Sequence, residues 1–233
     1  GGTSCASLQA DGVERDGVFS ISPDGPEGLT YDVFCDMTTD GGGWTRVFYH
    51  DVAGGYFESN EDAHSRGRDA PLGALYSILD QLDSFRSSHG GFELRINWPD
   101  TDIDGRNIWR QTSNPTAGPV QGYDAIDINY TDQFWGGLEP AGNNATYLNG
   151  SVGHGNWFYA IGSKIPWNDP PGIPAYGPQS PRAALWVRPD DALAGGSPIT
   201  ACAAPEGYVP EGGDCNDTEE AVAPGREEVC NGI

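Results

Sequence analysis

The sequence predicts an α+β fold of short strands, one main helix and long irregular loops. Three observations carry this expectation: strand-like alternation in several short runs, a single helical periodicity, and 34 Gly with 18 Pro spread through 233 residues. Gly17-Val-Phe-Ser-Ile21 and Thr30-Tyr-Asp-Val-Phe-Cys35 read as two strands joined by the turn-rich Ser22–Gly28 segment. Trp44-Thr-Arg-Val-Phe-Tyr49 is a third strand, entered through three glycines. Ala70 to Arg86 is the expected helix, because Leu72, Leu75, Tyr76, Leu79, Leu82 and Phe85 fall on one face after Pro71 in the first turn. Phe92-Glu-Leu-Arg-Ile-Asn-Trp98 alternates like a strand, and Ala183-Ala-Leu-Trp-Val-Arg188 is the final one. Trp44, Trp98 and Trp186 lie in these runs and read as core. Between about 99 and 180 the Gly, Pro, Asn and Asp content leaves little regular pattern, as in ligand or metal loops.

Charge narrows the function classes. The protein has 34 acidic against 12 basic side chains, a formal net charge of −22. Such a surface repels phosphates, so nucleic acid and anionic membranes are not expected partners; divalent cations and neutral ligands are. No run approaches the roughly 20 apolar residues of a membrane span. Gly-Gly-Thr-Ser-Cys is not a signal peptide, so a leader for export would lie upstream or have been removed. The five Cys form two groups, Cys5 and Cys35, then Cys202, Cys215 and Cys230, without a C-x-x-C. Well-separated Cys in an acidic, Gly-rich sequence fit an oxidising compartment, hence a secreted or cell-surface location. A composition break at Arg188–Pro198 separates a long aromatic-rich domain, 1–189, from a linker at 190–199 and a short Cys-containing tail at 200–233.

The run Tyr31-Asp-Val-Phe-Cys-Asp-Met-Thr-Thr-Asp-Gly-Gly-Gly-Trp-Thr45 resembles the opening of fibrinogen C-terminal-like domains, and within them the intelectin (X-type lectin) branch. Asn107–Pro115 and Gly155–Gly162 look like markers of a shorter bacterial and invertebrate type. The resemblance implies a fibrinogen-like α+β fold. It also implies a disulfide between Cys5 and Cys35, closing a loop of about 30 residues worth roughly 3–4 kcal/mol in the chain-entropy model. The tail from Gly213 to Ile233 resembles the start of a MopE-type metal-binding repeat. On that resemblance the repeat is cut short, and Cys230 has lost its partner.

Three acidic clusters are candidate Ca2+ sites, since calcium takes six to eight hard oxygens. Asp51 with Asn60, Glu61 and Asp62 brackets Gly54-Gly55, at the place where intelectins have a calcium-contributing loop. Asp100, Asp102 and Asp104 resemble the front half of an EF-hand loop, without its later Glu. Asp214, Asn216, Asp217 and Glu219 lie in the tail repeat. For each, the alternative is a solvated turn. The densest aromatic and polar stretch runs from Phe134-Trp-Gly-Gly-Leu-Glu139 through Gly153–Tyr159 to Trp167. Glu139, His154 and Asn156 could meet sugar hydroxyls while Trp157, Tyr159 and Trp167 offer ring faces; the alternative is that the aromatics are core. The four His residues show no H-E-x-x-H, and neither a G-x-S-x-G elbow nor a P-loop is present, so no catalytic residues are assigned. The expected function is calcium-dependent glycan binding, with the oligomeric state left open. A calcium-stabilised adhesive module is the alternative, and a glycoside-active enzyme a distant third.

Overall fold

The computed structural model describes residues 2–105, 107–129, 133–154, 158–167, 171–175 and 179–189. The molecule divides into two units, Gly1–Ala192 and Leu193–Ile233. The elements named here all belong to the first unit; the tail cluster Asp214, Asn216, Asp217 and Glu219 lies outside the described residues.

The fold begins with a short helix, α1 (Cys5–Ala10), set by a reciprocal cap in which Ser4 and Ser7 each bond the other's backbone. The strands are β1 (Gly17–Ile21), β2 (Tyr31–Asp36), β3 (Trp44–Asp51), β4 (Leu75–Ser77), β5 (Phe92–Asn97), β6 (Asn107–Gln111), β7 (Asp124–Ile128), β8 (Trp135–Pro140), β9 (Leu148–Ser151), β10 (Ala160–Ile161), β11 (Ile173–Pro174), β12 (Gln179–Ser180) and β13 (Arg182–Arg188). A second short helix, α2 (Asn60–Ser65), is capped by Ser59. Among the described residues, β1-β2-β3-β13-β5-β6-β7 form one antiparallel sheet with β4 added to β3, while β10-β9-β8 form a smaller one. The strands expected from alternation are all present.

Cys5 on α1 is bonded to Cys35 on β2, with Cα atoms 5.5 Å apart, and both side chains are buried. The three glycines before Trp44 are needed here for two reasons. Gly41, Gly42 and Gly43 all have positive φ, and a Cβ on Gly42 would stand 2.1 Å from the Met37 carbonyl.

The helix expected over 70–86 does not form. Leu75–Ser77 is drawn into the sheet, where Tyr76 pairs with Tyr49 of β3, and Leu79–Phe85 winds as a 3-10 helix. Leu79, Leu82 and Phe85 repeat every three residues, the period of a 3-10 turn, and all three are buried. Leu72, placed on the same face by the helical reading, is 67 % exposed. The apolar spacing therefore merges a strand and a tighter helix into one false period.

The inner face of the main sheet carries Val33, Val47, Phe48, Leu94, Ile96, Trp109, Leu185 and Val187 into the core. Val47 and Phe48 are consecutive yet both buried, because a register shift opposite Leu185/Trp186 turns two neighbours inward. The outer face is charged and aromatic. In register across adjacent strands stand Asp36, Trp44, Arg188, Glu93, Arg110 and Asp124, and in the next row Arg46, Trp186 and Arg95. Glu93, fully buried, accepts from Arg188 at 2.6 Å and from Arg110 at 3.2 Å. Asp36 accepts from Arg95 at 2.6 Å. Burial works to raise the Asp36 carboxyl, but bonds from the Thr39 backbone and Arg95 outweigh it and hold the group below its ordinary value. Trp44, Trp98 and Trp186 are buried as expected, Trp98 inward and the other two on this outer layer.

Candidate ligand-binding surface

The stretch richest in aromatic and polar residues folds as the β8–β9 corner. Trp135 anchors it, packing edge-on against Trp98, Trp109 and Tyr159 at 6.1, 5.1 and 5.2 Å between centroids. Gly150 on β9 permits this approach, since a Cβ there would stand 2.3 Å from the Trp135 ring. Gln111, fully buried, clamps the middle of β8. Its Oε1 accepts from the Leu138 backbone and from Trp109 Nε1, while its Nε2 donates to the Leu138 carbonyl.

Glu139 sits at the end of β8 and ties two loops together. One carboxylate oxygen accepts from the Val120 backbone at 3.1 Å and the other from Gly153 at 3.0 Å. The second bond fixes the turn that presents His154. The His154 ring lies parallel to Phe134, 4.0 Å between centroids and 15° between planes. Phe134 is 56 % exposed and, like Gln133 before it, has positive φ. Two consecutive non-glycine residues in the left-handed region are backbone strain, roughly 1–3 kcal/mol each, and they hold a large apolar ring out toward solvent.

Of the residues expected to meet a ligand, Glu139 and His154 are brought together by the Gly153 turn. Tyr159 is 1 % exposed and packed against Trp98 and Trp135, so its ring belongs to the core and is not presented. Trp167 is half-buried, and its Nε1 donates to Ser163 at 2.9 Å. Asn156 and Trp157 lie outside the described residues. In the sequence Phe134 only marks the edge of the aromatic region; left-handed backbone at a non-glycine residue leaves no trace in composition or spacing.

In the two described acidic clusters, most side chains are engaged with the protein itself. Asp51 caps the following turn through the Ala53 backbone, Asp62 binds Arg66 and the Glu58 backbone, and Asn60 accepts from Lys164. Glu61 is exposed at the start of α2. Asp100 pairs with Arg182 at 3.0 Å, Asp104 accepts from Asn97, and Asp102 is exposed. Among the described residues, no three His, Cys, Asp or Glu side chains come together as a metal cradle.

This sheet, disulfide and loop corner make up a fibrinogen-like globe fold. Residues 2–103 match the family model of the C-terminal globular domain of the fibrinogen beta and gamma chains. Human microfibril-associated glycoprotein 4 is 51 % identical over 41 residues, which are 18 % of this chain and 16 % of that protein. Mouse fibrinogen C domain-containing protein 1 is 30 % identical over 99 residues, 42 % of this chain and 21 % of that one. The matched segments thus span no more than about a fifth of the length of these relatives. The solved fibrinogen-like globe domain of human ANGPTL2 superposes with a TM-score of 0.51 at 14 % identity, covering 81 % of this chain and 99 % of that structure. That likeness shows the fold.

Proposed function

We propose that this protein is an extracellular recognition module that binds carbohydrate at the Phe134–His154 corner. One observation carries the reading: strained backbone holds the Phe134 ring exposed and parallel to an imidazole. A pyranose presents an apolar C–H face to such a ring and its hydroxyls to neighbouring polar groups. The buried disulfide supports an oxidising, extracellular setting, as does the likeness to a microfibril-associated glycoprotein. Within the fibrinogen-like class, the Tyr31–Thr45 run supports an intelectin-like placement, while the Asn107–Pro115 and Gly155–Gly162 markers and the tail, read as part of a MopE-type metal-binding repeat, support a bacterial type. Calcium belongs to the proposal as a stabilising ion and is tested separately.

The experiment is a glycan array with and without EDTA, run on the wild type and on Phe134→Ala. Phe134 is exposed, so its truncation should leave the melting temperature unchanged while reducing affinity about tenfold or more, as aromatic anchors do. Glycan signal untouched by Phe134→Ala would remove this corner from the reading, and signal insensitive to EDTA would remove calcium. A second reading, adhesion to a protein partner, is favoured by the microfibril-associated relative. Binding to matrix proteins with no signal on any glycan would establish it instead.

A further inference from the structure

The outer layer of the main sheet contains a cation with no counterion among the described residues. Arg95 has Asp36, and Arg188 and Arg110 share Glu93, whereas Arg46 has no carboxylate partner among the described residues. Arg46 is 9 % exposed, and its guanidinium donates to the Pro71 carbonyl. Phe34, Tyr49 and Trp186 surround it, with centroids 4.9, 4.6 and 5.7 Å from its central carbon. Rings attract the faces of a guanidinium, but its N–H groups point outward in the plane and need lone pairs. Arg46 Nε has none. Across the row, Trp186 Nε1 and Arg95 Nε and Nη1 are likewise buried without hydrogen-bond partners, although Arg95 Nη1 stands 3.8 Å from an Asp40 carboxylate oxygen.

Three side chains in register on adjacent strands, each more than nine-tenths buried, thus offer four donors and one positive charge that find no partner among the described residues. A buried polar group without a partner calls for a missing water or ion. Water would satisfy the donors but leave the charge, and leaving one buried charge unpaired destabilises a fold by several kcal/mol. We propose that the Arg46–Trp186–Arg95 row binds a small anion, a halide or a compact oxyanion. The overall charge of −22 does not forbid this, because screening confines the distant carboxylates to within about 8–10 Å while the guanidiniums are in contact.

The test is the thermal unfolding of the full protein at constant ionic strength in sodium chloride, bromide, sulfate or gluconate, the last too bulky for a covered site. Chloride, bromide or sulfate should raise the melting temperature saturably over gluconate. At about 30-fold over the dissociation constant, the unfolding equilibrium constant falls about 30-fold, a rise of roughly 4–8 °C. A halide site responds to chloride and bromide, an oxyanion site to sulfate. Arg46→Leu should abolish the anion-specific rise even if its baseline stability changes. Saturable broadening of the chloride-35 resonance by the wild type should report a halide site directly and vanish with Arg46→Gln. Equal melting temperatures in all four salts, or an anion-specific rise that survives in the Arg46 variants, would overturn the proposal.

Discussion

His50 should make the domain acid-sensitive well above the pH at which carboxylates protonate. Its ring is fully buried on β3, edge-on to Tyr56 and Phe57, and Nε2 lies 2.9 Å from the Gly55 carbonyl, which requires Nε2 to carry the proton. Nδ1 has no partner. Burial pushes the imidazole down to about 4, against a smaller upward pull from the Gly55 carbonyl and Asp51. In the unfolded state the ring titrates near 6.5. The neutral ring's contribution is therefore fully present above about pH 6.5 and is lost as pH falls toward 4. At pH 5 the unfolded state gains most of a proton that the folded state refuses, a loss of about 2 kcal/mol relative to pH 7. Relief of the −22 net charge works in the opposite direction, so the measurement must be a difference. His50→Gln retains a donor for Gly55 and cannot titrate. Unfolding free energies from urea titrations of the wild type and His50→Gln, taken between pH 7.5 and 4.5, should diverge by about 2.5 kcal/mol as the pH falls, the wild type losing more. Parallel profiles would refute the assignment of a buried neutral ring.

Other perturbations have expected outcomes of comparable size. Replacing Cys5 and Cys35 by Ser should destabilise the domain by about 3–4 kcal/mol, from the loop of 30 residues the bond closes, as read by urea unfolding. Glu93→Gln should cost about 3–5 kcal/mol, because it leaves Arg188 buried without its carboxylate. Replacing an exposed carboxylate such as Asp102 in the same way should change the urea midpoint little.

Most of the main sheet is legible in the sequence, because its strands alternate cleanly or sit beside turn residues. β5 shows the alternation directly, β2 shows it in part, and β13 reads as a continuous apolar run. The segment 70–86 is not, since Leu75 and Tyr76 answer to the β3 edge and not to their own spacing. β8 is hidden for a similar reason. Its glycines and register shift look like loop, and pairing with β9 together with the buried Gln111 clamp, from a strand that ends 24 residues earlier, makes them a strand. At the candidate site, residue chemistry picks out Glu139 and His154 and misses the exposed ring beside them. Tyr159 reads as a ligand face when it is core, because its exposure depends on Trp98 and Trp135, which arrive from distant strands.

The position of β13 has a consequence for how the protein is made. This strand is the last of the described unit, yet it lies at the centre of the main sheet, between β3 and β5. Until residue 188 has left the ribosome, β1-β2-β3-β4 and β5-β6-β7 are two separate fragments, each with a bare edge where β13 belongs. Exposed edges recruit other strands, so a polypeptide stalled or cut before residue 182 is an aggregation hazard and not merely an incomplete domain. Synthesis of these residues acts as a latch: the N-terminal hairpin and the loop-rich half join only when their shared strand arrives. A protein truncated at residue 181 should therefore be insoluble or protease-sensitive throughout, including the disulfide-bonded segment at its opposite end.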